Sequence, residues 1–148
     1  MKVICRTDFL QERLLYSSYR KYRIIQQDYV TFMKEEKSCW DVILLLHILS
    51  HGKMEEICST IQTAIDKLHA EGTLLCTLPS TKDYRFLNHT SSNHKSFELE
   101  NGPEKGIMHT FFDINDVYKS VGKKGEIVSI NEVVSERHAH WEFVVRKV

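Results

Sequence analysis

No glycine precedes Gly52 in this 148-residue chain, and no G-x-G-x-G or G-x-G-x-x-G run occurs anywhere in it. Such turns let backbone approach a nucleotide-type ligand closely, so the chain cannot use that device. Long apolar runs are missing too. The longest, residues 42–46, is far below the roughly 20 residues that span a bilayer. Lys2 and Arg6 are followed by Asp8, Gln11, Glu12 and Arg13, which interrupt any signal-peptide core. Net charge is absent, with 20 basic against 20 acidic residues, so no global field steers the chain to nucleic acid or an anionic membrane. The one concentrated basic stretch, Arg20-Lys21-Tyr22-Arg23, is too short for a nucleic-acid footprint and reads as the solvated end of a helix. Cys5, Cys39, Cys58 and Cys76 form no C-x-x-C pair. They read as reduced thiols, three of them among apolar neighbours, and a cytoplasmic protein is expected.

What is present is the composition of a globular domain: 42% apolar and 27% charged residues, enough to offset chain entropy. The length fits one domain, 1–148. Residues 2–7 are strand-prone, and residues 9–22 carry Leu10, Leu14, Leu15 and Tyr19 near helical spacing. Residues 23–26 read as a second strand, followed after Asp28 by an exposed connection around Lys34-Glu35-Glu36-Lys37. Residues 40–49 are apolar almost throughout, as expected of a central strand covered on both faces.

Beyond Gly52, the residues Ile57, Ile61, Ala64, Ile65 and Leu68 place one apolar stripe on a helix running to about His69. Gly72 is expected to end it and admit a buried strand over 73–78, stopped by Pro79. Residues 80–108 dissolve into Ser, Asn, His, Gly and Pro, a segment too long for a simple connection. Asp113 can cap a short helix through Val117 and Val121, and residues 127–134 and 141–145 read as an antiparallel hairpin turning at 135–137. Alternating strands and amphipathic helices imply an α/β domain with a mostly parallel sheet.

Three segments add specificity. Trp40-Asp41-Val42-Ile43, a few apolar residues, then His51-Gly52 form the first; Leu68-His69-Ala70-Glu71-Gly72-Thr73-Leu74-Leu75, running on to Pro79, forms the second; Gly106-Ile107-Met108-His109-Thr110-Phe111 is the third. In this order they resemble the fourth strand, the "L-K-P-G-G-x-L-L" turn and the "G-x-x-H-x-F" approach to the last helix of class I S-adenosylmethionine (SAM)-dependent methyltransferases, in a small-molecule branch of the type 11/12-like kind. Ala70 and Glu71 stand where Pro and Gly are usual. His138-Ala139-His140-Trp141 and Val144-Val145-Arg146-Lys147 resemble that branch's closing strand.

The resemblance implies a Rossmann-like sheet cut short at its amino-terminal side, closed by a C-terminal antiparallel hairpin, with SAM as cofactor and a small molecule as methyl acceptor. Asp8 would meet the ribose hydroxyls. Asp28 and Tyr29 would meet the adenine, and Leu46 and His47 the methionine part. His51 or His109 would take a proton from the acceptor. The missing glycine turn lies in the family's central strand, so its absence would expose two strand edges. These would have to pair directly or be covered by a second copy or a partner chain. An inactive binding or regulatory subunit, or a truncated gene product, is the alternative reading.

Each of these residues also has a bland reading. Asp8 and Asp28 can cap the segments after them, and His51 and His109 can be plain turn residues. His138 and His140, two apart on a strand, invite a metal reading with His109, but two histidines without a defined third ligand do not make a site, and no metal is expected. Tyr16, Tyr19 and Tyr22 read as a partly buried helix face.

Overall fold

The computed structural model describes residues 27–37, 39–89 and 94–148. The strand–helix–strand expected over residues 2–26 lies outside them, as does Asp8. The chain divides into two compact units, residues 1–36 and 37–148. In the first, α1 (Tyr29–Glu35) replaces most of the expected exposed connection. Asp28 makes the difference: its Oδ1 accepts the Thr31 N–H at 2.9 Å and its hydroxyl at 3.1 Å, satisfying donors that a helix start leaves without partners.

The second unit is built on a four-stranded sheet of order β1 (Trp40–Leu45), β2 (Leu68–Pro79), β6 (Ala139–Lys147) and β5 (Gly125–Val134). Only β1 and β2 pair in parallel; β6 runs antiparallel to both its neighbours. The sheet is therefore less parallel than the alternation of elements suggests. The expected hairpin explains why. Ser135 N–H donates to His138 O at 2.8 Å, and this tight turn brings β6 back beside β5, where Phe143 and Val145 enter the core.

Two further expectations are corrected. The apolar run from Trp40 forms strand only to Leu45, at one end of the sheet among the described residues. Val42 and Leu44 are more than half exposed, at 54% and 56%. A continuous apolar run does not distinguish a strand with one bare face from one covered on both.

The helix after Gly52, α2 (Met54–Asp66), stops three residues before His69, and Gly72 does not end it. Gly72 lies inside β2, where the register against β1 slips between Trp40 and Val42 and Glu71 adopts φ 61°. A Cβ on Gly72 would sit 2.9 Å from His69 O and 3.1 Å from Trp40 O. Its smallness serves a strand bulge.

The core follows the predicted periodicities. Helix α2 buries Ile57, Ile61, Ala64 and Ile65, and α4 (Ile114–Val121) buries Val117 and Val121. The two helices pack on each other, α2 also on β2 and α4 on β5. Across them lie Leu74, Cys76 and Leu78, alternating along β2, each 1% exposed or less. Burying a side chain of this size contributes about 1.5–3 kcal/mol. Burial pushes the Cys76 thiol far up, leaving it a small hydrophobe as expected.

Helix α4 begins as expected at Asp113, in a reciprocal cap: Asp116 N–H donates to Asp113 Oδ1 at 3.0 Å, and Asp113 N–H to Asp116 Oδ2 at 3.1 Å. The segment 80–108 is less irregular than its composition suggests. It contains α3 (Tyr84–Leu87) and β3 (Ser96–Glu98), which pairs with β4 (Met108–Thr110) in a two-stranded sheet. Among the described residues no helix is long and apolar enough to cross a membrane.

Candidate active site

A cleft of about 350 Å³ opens at the carboxyl ends of β1 and β2. His47, Leu49 and Ser50 follow β1, Thr77, Leu78 and Pro79 close β2, and His138, Ala139 and His140 open β6. Because β6 is antiparallel, its first residues reach the same edge of the sheet at which the parallel strands end. That edge is where open α/β sheets place ligands. Asp83 and Arg85 close the cleft from the turn after β2.

His47 is held there by its backbone. It adopts φ 54°, a left-handed conformation that a side chain with a Cβ avoids, and its N–H donates to Thr77 Oγ1 at 2.6 Å. Its ring stands edge-on to that of His140, centroids 5.0 Å apart. His140 Nε2 lies 3.1 Å from Glu142 Oε1. Strain of this kind collects at functional positions, where surrounding contacts enforce it.

Asp83 is 1% exposed. Arg85 donates to it from Nε (2.8 Å), Nη2 (3.1 Å) and its backbone N–H (3.0 Å), and Ala139 N–H adds a fourth bond at 3.2 Å. Burial alone would raise the carboxyl, but the bonds and charge from Arg85 outweigh it and hold Asp83 below its ordinary range. The same contacts raise Arg85 further. A fixed ion pair is thus part of the cleft wall. Nothing in the sequence reading singled out this pair, although a close Asp-x-Arg inside a long loop of otherwise small polar residues is the signal that could have done so.

A second cleft of about 480 Å³ lies on the other side of Arg85 and His138, lined also by Tyr84, His89, Phe97 and Glu104. Glu104 belongs as well to a compact cluster with His51 and His109. His51 Nε2 is 3.5 Å from Glu104 Oε1, and His109 Nε2 is 3.4 Å from Glu104 Oε2. The two rings stand at 81° with centroids 4.6 Å apart. An antiparallel bridge between His51 and His109, and Gly52 N–H donating to Met108 O at 3.1 Å, fix the two chains that carry them.

His109 is fully buried, and neither ring nitrogen makes a hydrogen bond; the approach to Glu104 is close but not aligned for one. Burial lowers its pKa, with His51 adding to the effect and Glu104 opposing it, so the ring is neutral at pH 7.

Of the residues expected at the site, the structure therefore brings His51 and His109 together, though neither is among the residues lining the two clefts. His47 lines the first cleft, and Leu46, next to it, is 45% exposed at the end of β1. Asp28 and Tyr29 belong to the unit of residues 1–36, where Asp28 caps α1 and that backbone hydrogen bond from Thr31 lowers its pKa. His109 does not join His138 and His140; His138 lies edge-on to Tyr84, with Nδ1 3.5 Å from Asp83 Oδ2.

A twisted α/β sheet whose last strand returns antiparallel between its neighbours, with a cleft at the carboxyl ends of the parallel strands, is the fold of class I SAM-dependent methyltransferases. Comparison with solved structures shows the same fold. The N-methyltransferase NodS from Bradyrhizobium japonicum WM9, in complex with S-adenosyl-L-homocysteine, superposes with a TM-score of 0.67 at 12% identity over 99% of this chain and 65% of its own. Magnesium protoporphyrin IX methyltransferase (ChlM) from Synechocystis PCC 6803, with bound SAH, gives 0.65 at 14% identity over 93% and 56%. TehB from Haemophilus influenzae gives 0.68 at 14% identity over 99% and 49%. The chain thus spans about half to two-thirds of the length of these proteins. No protein-family model and no curated protein matches it by sequence.

Proposed function

We propose that the chain binds SAM and transfers its methyl group to a small-molecule acceptor in the 350 Å³ cleft. The observation that carries this reading is the strained His47 at the carboxyl end of β1, facing His140 across that cleft in a methyltransferase fold. Leu46 and His47 would border the methionine part of the cofactor. Methyl transfer from a sulfonium is an SN2 displacement: the acceptor's lone pair forms the new bond to carbon as the carbon–sulfur bond breaks, and S-adenosylhomocysteine leaves. Much of the rate can come from alignment and exclusion of water. Where the acceptor must lose a proton, the cleft imidazoles His47 and His140 are placed to receive it, His140 with Glu142 behind it.

Calorimetric titration and thermal shift with SAM, followed by transfer of a radiolabelled methyl group to pooled small acids and amines, test this. Saturable binding weakened by His47→Ala supports it. Absence of heat and of a thermal shift at millimolar SAM overturns it.

A second reading draws on a separate observation: the sequence has no glycine-rich turn, and no strand among the described residues lies beyond β1. In this reading the chain is a catalytically inactive methyltransferase-fold subunit, paired with a second copy or a partner chain that supplies the missing wall. Recovery of a fixed partner on co-purification, with no turnover by the isolated chain, favours it over the first.

A further inference from the structure

We propose that His51, Glu104 and His109 form a binding site for a divalent transition-metal ion of the zinc class, its remaining coordination open towards the cleft that Glu104 lines. The proposal stands on the geometry of this cluster and not on the methyl-transfer reading.

Two imidazoles and one carboxylate are a donor set that suits zinc, with three protein ligands leaving further positions for water or a ligand. One ligand atom from each of the three residues can be chosen so that all lie within 4.8 Å of one another. The two nitrogen–oxygen separations, 3.5 and 3.4 Å, are poor as hydrogen bonds. They match the edge of a zinc tetrahedron, about 3.3 Å for bonds of about 2.0–2.1 Å. The two separations run to different oxygens of Glu104, so an ion bound to all three residues draws the set, now within 4.8 Å, closer together.

The independent sign is His109. A side chain with 0% exposure and two unbonded ring nitrogens is exceptional, because buried polar atoms almost always find partners. A metal bond to Nε2 gives one of those two nitrogens a partner. The backbone bridge between His51 and His109 holds the two imidazoles in place before any ion arrives. Among the described residues Arg85 is the charged group set against a cation here, with Nη1 3.4 Å from Glu104 Oε2. Its Nε and Nη2 are committed to Asp83, and Glu104 Oε1 faces His51. The side chains of His51 and Glu104 are 48% and 40% exposed, so the ion has a path in and open coordination outward.

The test is calorimetric titration of chelator-treated full-length protein with Zn²⁺, together with a Co²⁺ absorption spectrum. The expected result is one equivalent bound, a rise in thermal midpoint, and a cobalt spectrum of low coordination number. Replacement of His109 can unfold the chain, so the half-exposed ligands carry the comparison: Glu104→Gln and His51→Ala each weaken Zn²⁺ binding by more than about 100-fold, while His69→Ala, on the exposed part of β2, leaves it unchanged. No stoichiometric binding by the folded protein overturns the proposal. So does binding that survives both ligand variants, or that is lost instead in His140→Ala, which would put the ion in the neighbouring cleft.

Discussion

Ala139, the first residue of β6, donates its N–H at 3.2 Å to Asp83, a carboxylate 56 positions upstream that is itself held by Arg85. One buried anion thus joins the turn after β2 to the start of the closing strand, and both segments line the same cleft. Asp83→Asn keeps the shape but leaves Arg85 without its main counter-ion. The expected loss is about 3 kcal/mol in urea denaturation at neutral pH. Since the folded state lowers the Asp83 pKa, the wild-type advantage is complete above the ordinary carboxylate range and disappears as pH falls through the folded value. The two stability curves should converge in acid; parallel curves would show that the charge on Asp83 is not what stabilises.

A second carboxylate gives a more exposed comparison. Lys95 Nζ lies 2.6 Å from Asp113 Oδ2 and 2.5 Å from Asp116 Oδ2, pinning the segment before β3 to the cap of α4. That bond is the main reason the Asp113 carboxyl falls from 3.8 to about 2. A depressed carboxyl stabilises above its unfolded value and ceases to do so below its folded one, so the contribution disappears between about pH 4 and pH 2. Asp113 is 39% exposed and solvent screens the pair, so the effect is modest. Lys95→Met should lower the denaturation midpoint at pH 6 and differ much less from wild type at pH 2, with salt reducing the gap at pH 6.

The second unit was largely legible because its signals are local. The stripe of Ile57, Ile61, Ala64 and Ile65 has one period, Asp113 is a helix cap wherever a helix follows, and the alternation around Phe143 and Val145 admits one face inward. The limits were equally physical. Where α2 ends is decided by the pairing of Leu68 with Trp40 and by the bulge at Glu71 and Gly72, contacts that no helical period carries. The position of β1 in the sheet depends on which strands flank it, not on its own composition. At the site, His51 and His109 stood out individually, but Glu104 reaches them only through the fold of an irregular segment, so their cluster had no signature in the spacing. Asp83 and Arg85 were hidden in that same segment.

Gly72 offers a test of the bulge. Its substitution by Ala puts a methyl group against two backbone carbonyls, His69 O at 2.9 Å and Trp40 O at 3.1 Å, and against Leu68 Cβ at 3.1 Å. Carbonyl groups locked in strand pairing cannot rotate away as a long side chain would, so β1 must shift from β2. A loss of about 1–3 kcal/mol is expected, with faster hydrogen exchange concentrated in residues 40–45. Wild-type stability in Gly72→Ala would mean that β1 and β2 part there at little cost.

His47 separates strain from function. Its left-handed backbone costs roughly 1–2 kcal/mol in a residue with a Cβ. Glycine adopts that conformation freely but loses more chain entropy on folding, about 0.5–1 kcal/mol. The two effects nearly cancel, so His47→Gly should remain within about 1 kcal/mol of wild type, with the Thr77 hydroxyl still accepting the residue 47 N–H. If the imidazole serves the cleft, SAM affinity or methyl transfer in this variant falls at least about tenfold while the thermal midpoint barely moves, a pattern that simple unfolding cannot produce. His47→Ala keeps the strain and removes the same ring, so it should match His47→Gly in lost activity and lie within about 1 kcal/mol of it in stability. Full activity in the glycine variant would leave the strained turn with only a structural role and would transfer the cleft chemistry to His140.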